Sequence, residues 1–214
     1  MARTLCLLLL VLCVSGLLLP PLARLHAQAP SDLGVCMGNL KQIGMAVRLY
    51  LADYNDTFPV ANEGDPGRAH GIVQDKYGRH PIYLRNALAN YLVYEEVWWC
   101  PAQRKRSDMP KKADTDYGYM CGHDRETFLG KALAQAGVSP DQCMVCGRPL
   151  SAIKTPATTA MVFCNKLGVH AGVSEESVEL QGGPGATTVC FVDGHVEYVR
   201  GTATELIGRI LTGK

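Results

Sequence analysis

At 214 residues, with 47% hydrophobic and 19% charged side chains, the chain is long enough to bury one core and too apolar to stay disordered over most of its length. Its formal net charge is +1; outside residues 1–29, which hold Arg3 and Arg24 and no acid, 19 basic side chains face 20 acidic ones. So neutral a body excludes charge-driven binding of nucleic acid. The run Arg104, Lys105, Arg106, Lys111 and Lys112 has no interleaved aromatics to stack on bases and is expected to be a solvated loop.

Residues 1–29 read as a signal peptide or N-terminal membrane segment, and residues 30–214 as one globular domain. A basic start at Arg3 precedes an apolar run from Leu5 to Leu19. That run is long for a signal-peptide core and short of the ~20 residues a spanning helix needs. Ala27-Gln28-Ala29 has the small residues of a cleavage site, while Pro30 behind it resists the extended backbone that a peptidase holds. Cut or uncut, the segment predicts export to the periplasmic or extracellular side. If uncut, residues 5–19 tether the chain to the inner membrane.

Ser31 is a plausible N-cap for a helix from about Asp32 to Asp53, with Cys36, Leu40, Ile43, Val47, Tyr50 and Tyr54 on one stripe. Asn55-Asp56 and Pro59 end it. Residues 60–81 are rich in Gly, Asp, Asn and His and read as a surface connection. A short helix is expected from about Leu84 to Leu92, then VWWCPAQ, whose Trp98 and Trp99 should cap the core. YGYMCGHD reads as a short extended piece, and Thr127 caps a helix that Gly137 and Pro140 close. The last third reads as sheet: TTAMVFC (158–164) and TTVCFVD (187–193) are strand-like, and HVEYV follows the turn pair Asp193-Gly194. Thr202 and Glu205 have capping-box spacing ahead of Leu206, Ile207, Ile210 and Leu211.

CMGNLKQIGMAVRLYLADYNDTFP, VWWCPAQ, YGYM, LSAIKTPATTAMVF and TTVCFVDGHVEYV occur here in the order found in type IV pilin-like proteins. Over most of residues 31–200 the chain resembles the prepilin-type H-x9-DG group of pseudopilin-like proteins. LLLPPLAR is similar to the end of that group's membrane stem. The resemblance implies an α+β fold, an N-terminal helix packed on a small antiparallel sheet of three or four strands. It also implies a non-enzymatic structural or accessory protein related to type II secretion and type IV pilus components, with other envelope or pseudopilin-like proteins as partners. The chain departs from the group in two places. MARTLCLLLL lacks the Gly-Phe-Thr-Leu-Ile-Glu type of processing site, and Gly183 stands where the motif wants His, with His170 too distant in sequence to replace it. These departures keep open the alternative of a secreted zinc- or disulfide-stabilised binding module that has lost filament assembly.

Seven cysteines lie beyond the leader, so they cannot all pair within one molecule, although disulfides are the first expectation for an exported chain. CMVCGRPL (143–150) resembles a zinc knuckle in which Gly147 supplies an unusual backbone angle. Cys121 and His123 are the nearest candidates to complete a zinc site with Cys143 and Cys146. The four remaining cysteines could then form two bridges, 36 with 100 and 164 with 190. A disulfide arrangement and free thiols stay open beside zinc, since strand cysteines such as Cys164 and Cys190 are often small buried hydrophobes. A redox role for Cys143 and Cys146 lacks a strand-to-helix context, and no nucleophile elbow, phosphate loop or His-Glu-x-x-His helix is present. No catalytic residue is expected; Asp193 and His195 are explained by the turn and the strand that follows it.

Overall fold

The computed structural model describes residues 31–61, 83–104, 115–120, 145–165, 167–173 and 183–212. The chain divides after Ser31, and the fold below is that of Asp32–Lys214. The expected leader and the helix predicted from Thr127 lie outside the described residues. Among the described residues no helix is long and apolar enough to cross a membrane.

Helix α1 spans Asp32–Asp53. The expected stripe is buried at Cys36, Leu40, Ile43 and Val47. After Val47 the buried face continues at Leu51 rather than at the expected Tyr50, which is half-buried at its edge, while Tyr54 is exposed; the two tyrosine rings stack 4.0 Å apart. The neighbouring Tyr91 donates its hydroxyl to Asp53 at 2.8 Å. Asn55 and Asp56 stop the helix with φ of 52° and 54°, a left-handed conformation these two residue types tolerate better than most. Met45 and Leu49, one turn apart on α1, are exposed.

Four strands, β1 (Tyr117–Tyr119), β2 (Ala160–Cys164), β3 (Pro184–Phe191) and β4 (Val196–Thr202), form one antiparallel sheet in the order β1-β2-β3-β4. The protein is therefore α+β. Strand β3 is buried from Gly185 to Phe191, as its β-branched and aromatic run anticipates. The β3–β4 connection turns at Asp193-Gly194, where the Asp193 carboxylate accepts the His195 N–H at 3.0 Å and Gly194 takes φ +93°. His195 stacks on Phe191, with Nδ1 2.6 Å from Asp193.

Helix α1 packs across β2, β3 and β4. The crossing is close at Gly44, where a Cβ would come within 2.7 Å of Cys190 Sγ. Two short helices follow α1, α2 (Leu84–Ala87) and α3 (Pro101–Arg104). The helix expected to reach Leu92 is helical only over α2 and continues as turns to Tyr91. Trp98 is buried and Trp99 half-buried. The terminal helix α4 (Ala203–Thr212) opens on a capping box: Thr202 Oγ1 accepts the Glu205 N–H at 3.4 Å and Glu205 Oε2 accepts the Thr202 N–H at 2.7 Å.

Candidate metal centre

Three cysteines and one histidine from separate parts of the chain converge beneath α1. Cys36 lies in the second turn of α1, on the face turned to the sheet. Cys100 sits between Trp99 and the start of α3, with its N–H held by the Asp116 carboxylate at 2.8 Å. Cys164 is the last residue of β2, and the Thr187 hydroxyl donates to its carbonyl at 2.8 Å. His170 lies in the 3-10 turn Val169–Ala171, which ends at Gly172 with φ +73°. The Tyr198 hydroxyl donates to the His170 carbonyl at 3.1 Å.

The four ligand atoms all lie within 4.8 Å of one another, with the cysteines buried and the histidine half-buried. His170 Nε2 is 3.2 Å from Cys36 Sγ and 3.4 Å from Cys100 Sγ. In a tetrahedral zinc site, bond lengths near 2.3 Å to sulfur and 2.0–2.1 Å to nitrogen put neighbouring ligand atoms about 3.6–3.8 Å apart. The observed spacings are within a few tenths of an ångström of the sulfur–nitrogen edge. Cys36, Cys100 and Cys164 are all free of disulfides.

The three thiols are unequal. Hydrogen bonds from Cys100 and then Cys164 push Cys36 well below the usual thiol range, with His170 and Thr188 adding to the effect against burial. The bond from Cys164 pulls Cys100 down, but its bond to Cys36, burial and the Cys36 charge outweigh this and push it up to about 12. Cys164 is raised by its bonds to Cys100 and Cys36 and by burial. Burial, followed by the Cys36 charge, raises Tyr117. Within the cluster, Cys36 is thus the thiol pulled down, and Cys100 and Cys164 are the two pushed up. A metal ion bound here would take its cysteine ligands as thiolates and release their protons, and a donor set of three sulfurs and one imidazole nitrogen suits a soft or borderline divalent cation.

Of the ligands expected from sequence, Cys121, His123 and Cys143 lie outside the described residues. Cys146 is buried, donates its thiol to the Ala61 carbonyl at 3.6 Å, and sends its N–H to Met120 at 3.4 Å. Gly147 has the expected positive φ, +67°. The suggested pairing of 36 with 100 and 164 with 190 is corrected: Cys36, Cys100, Cys164 and Cys190 are all free thiols. Cys36 and Cys100 do meet, but as members of the cluster. Cys190 pairs in register with Val162 rather than Cys164, and burial pushes its thiol up to about 12, as for a small core hydrophobe.

Cys36 and Cys100 are 64 residues apart, as are Cys100 and Cys164, so no spacing motif announces the set. The local signal is Cys164 with His170, six residues on across the end of a strand. No protein-family profile, curated protein or solved structure matches the chain.

Proposed function

We propose that this chain is an exported, non-catalytic structural protein with a pseudopilin-like body, whose helix-on-sheet core is closed by one zinc ion on Cys36, Cys100, Cys164 and His170. The observation that carries the reading is the convergence of four protein ligands from α1, the Trp99–Pro101 segment, β2 and the turn after it. Structural zinc sites take all four ligands from protein, whereas catalytic ones keep a position for water or substrate. Here the fourth position is taken by His170, which supports a role in holding shape. A 22-residue helix across a four-stranded antiparallel sheet supports the pseudopilin-like assignment. The relation to secretion or pilus subunits, and the envelope partners it implies, rest on the sequence resemblance.

The buried cluster also favours the second reading, a zinc-stabilised binding module without filament assembly, because a metal would stiffen the body without help from neighbouring subunits. Both readings require the metal, so its removal tests them together. For the full chain with free zinc a thousandfold above its Kd, the bound state gains about 4 kcal/mol. At about 2–4 °C per kcal/mol for a domain this size, a strong chelator should lower Tm by about 8–16 °C, reversibly on adding zinc. A Tm indifferent to chelator, with no zinc in the purified chain, would refute the zinc-closed core.

A further inference from the structure

Among the described residues the buried polar side chains are Asn39, Thr115, Asp116, Thr187 and Thr188. Each bonds a ligand of the cluster or a residue close to one in sequence or space. Thr187 and Asp116 hold the main chain of Cys164 and Cys100, and Thr115 donates to the Trp98 carbonyl at 2.9 Å. Two hydroxyls reach a ligand atom itself: Thr188 Oγ1 lies 3.2 Å and Tyr117 Oη 3.5 Å from Cys36 Sγ.

The direction of both bonds follows from their surroundings. A metal-bound Cys36 sulfur carries no proton, so Thr188 must donate. Asn39 Nδ2 donates to Tyr117 Oη at 3.3 Å and to the Trp99 carbonyl at 3.0 Å, so the phenol proton is left to point at Cys36. A buried hydroxyl is costly without a partner, and valine would fill the Thr188 position on β3 at no such cost. Three thiolates and a neutral imidazole around a divalent cation leave one net negative charge in the core, and two O–H donors on one sulfur offset it.

We propose that Thr188 and Tyr117 are positioning residues of the metal centre, whose hydroxyls hold Cys36 as a thiolate ligand and set how tightly the site retains zinc. This rests on the zinc reading above. Partners outside the ligand sphere commonly change metal affinity 10–100-fold when removed.

The test uses the full chain with Thr188→Val, Thr188→Ser and Tyr117→Phe, reading zinc affinity by chelator competition and the thiolate-to-cobalt charge-transfer band after loading with cobalt(II). Thr188→Val and Tyr117→Phe should each weaken zinc at least tenfold and move the band to lower energy, because a sulfur that loses a hydrogen bond gives up its electrons more readily. Thr188→Ser should restore both readouts. Merely loosened packing would not shift the band in Thr188→Val and return it in Thr188→Ser. Wild-type affinity and band position in both hydroxyl-free variants would overturn the proposal while leaving the zinc site standing. A wild-type chain that binds neither metal would overturn the zinc reading as well. Should Thr188→Val not fold, Tyr117→Phe carries the same decision.

Discussion

Cys100 and Cys164 hold their protons well above neutrality, because each shares a hydrogen bond with a sulfur already charged and both are buried. On the zinc reading the metal would have to displace both protons, while Cys36, held low, would contribute none near pH 7. The sign follows directly: raising pH removes the cost of deprotonation and strengthens binding. Zinc affinity measured by competition from pH 7 to 9 should rise by about two powers of ten per pH unit, for the two protons released. A rise of less than one power of ten would place the protons elsewhere. Cys190 makes the contrast: equally buried but outside the cluster, it needs only its volume, and Cys190→Ala should leave metal binding unchanged.

At the scale of the element, the seam between α1 and β3 is set by Gly44, which lets the helix approach until a Cβ would strike Cys190 Sγ at 2.7 Å. Alanine is favoured over glycine in a helix interior by about 1 kcal/mol, so Gly44→Ala should stabilise if the seam were slack. Overpacking a tight seam costs about 1–3 kcal/mol, and we expect net destabilisation in denaturant unfolding, relieved in the Cys190→Ala background. Additive effects in that double-mutant cycle would show that the two positions do not touch. Thr202→Ala removes the α4 cap and should cost about 1 kcal/mol, with m unchanged.

The elements legible in the sequence are those whose cause is local. The α1 stripe through Val47, the Asn55-Asp56 stop, the Asp193-Gly194 turn and the Thr202–Glu205 box each lie within a few residues of the structure they dictate. The stripe differs at Tyr50 and Tyr54 because the buried face steps four residues from Val47 to Leu51, where the alternating spacing of four and three chooses Tyr50. The cluster was illegible for a related reason: its ligands are united by the α1 crossing and by sheet order, neither of which spacing encodes. CMVCGRPL stands out in the sequence because its two thiols are only three residues apart, while Cys36, Cys100 and Cys164 read as bridge partners or filler.

For the body as a whole, the Cys36, Cys100, Cys164 and His170 cluster joins the N-terminal part of α1 to the segment after Trp99, the end of β2 and the turn after it. In an oxidising compartment the same bound ion would keep three thiols from forming bridges that the fold does not use. The most direct measurement is native mass spectrometry of the full chain under non-reducing conditions, comparing wild type with Cys164→Ser. We expect the wild type to carry one zinc more than the variant, with Cys36 and Cys100 unbridged. Equal metal content in the two proteins, or a Cys36–Cys100 disulfide in the wild type, would contradict a zinc-closed core.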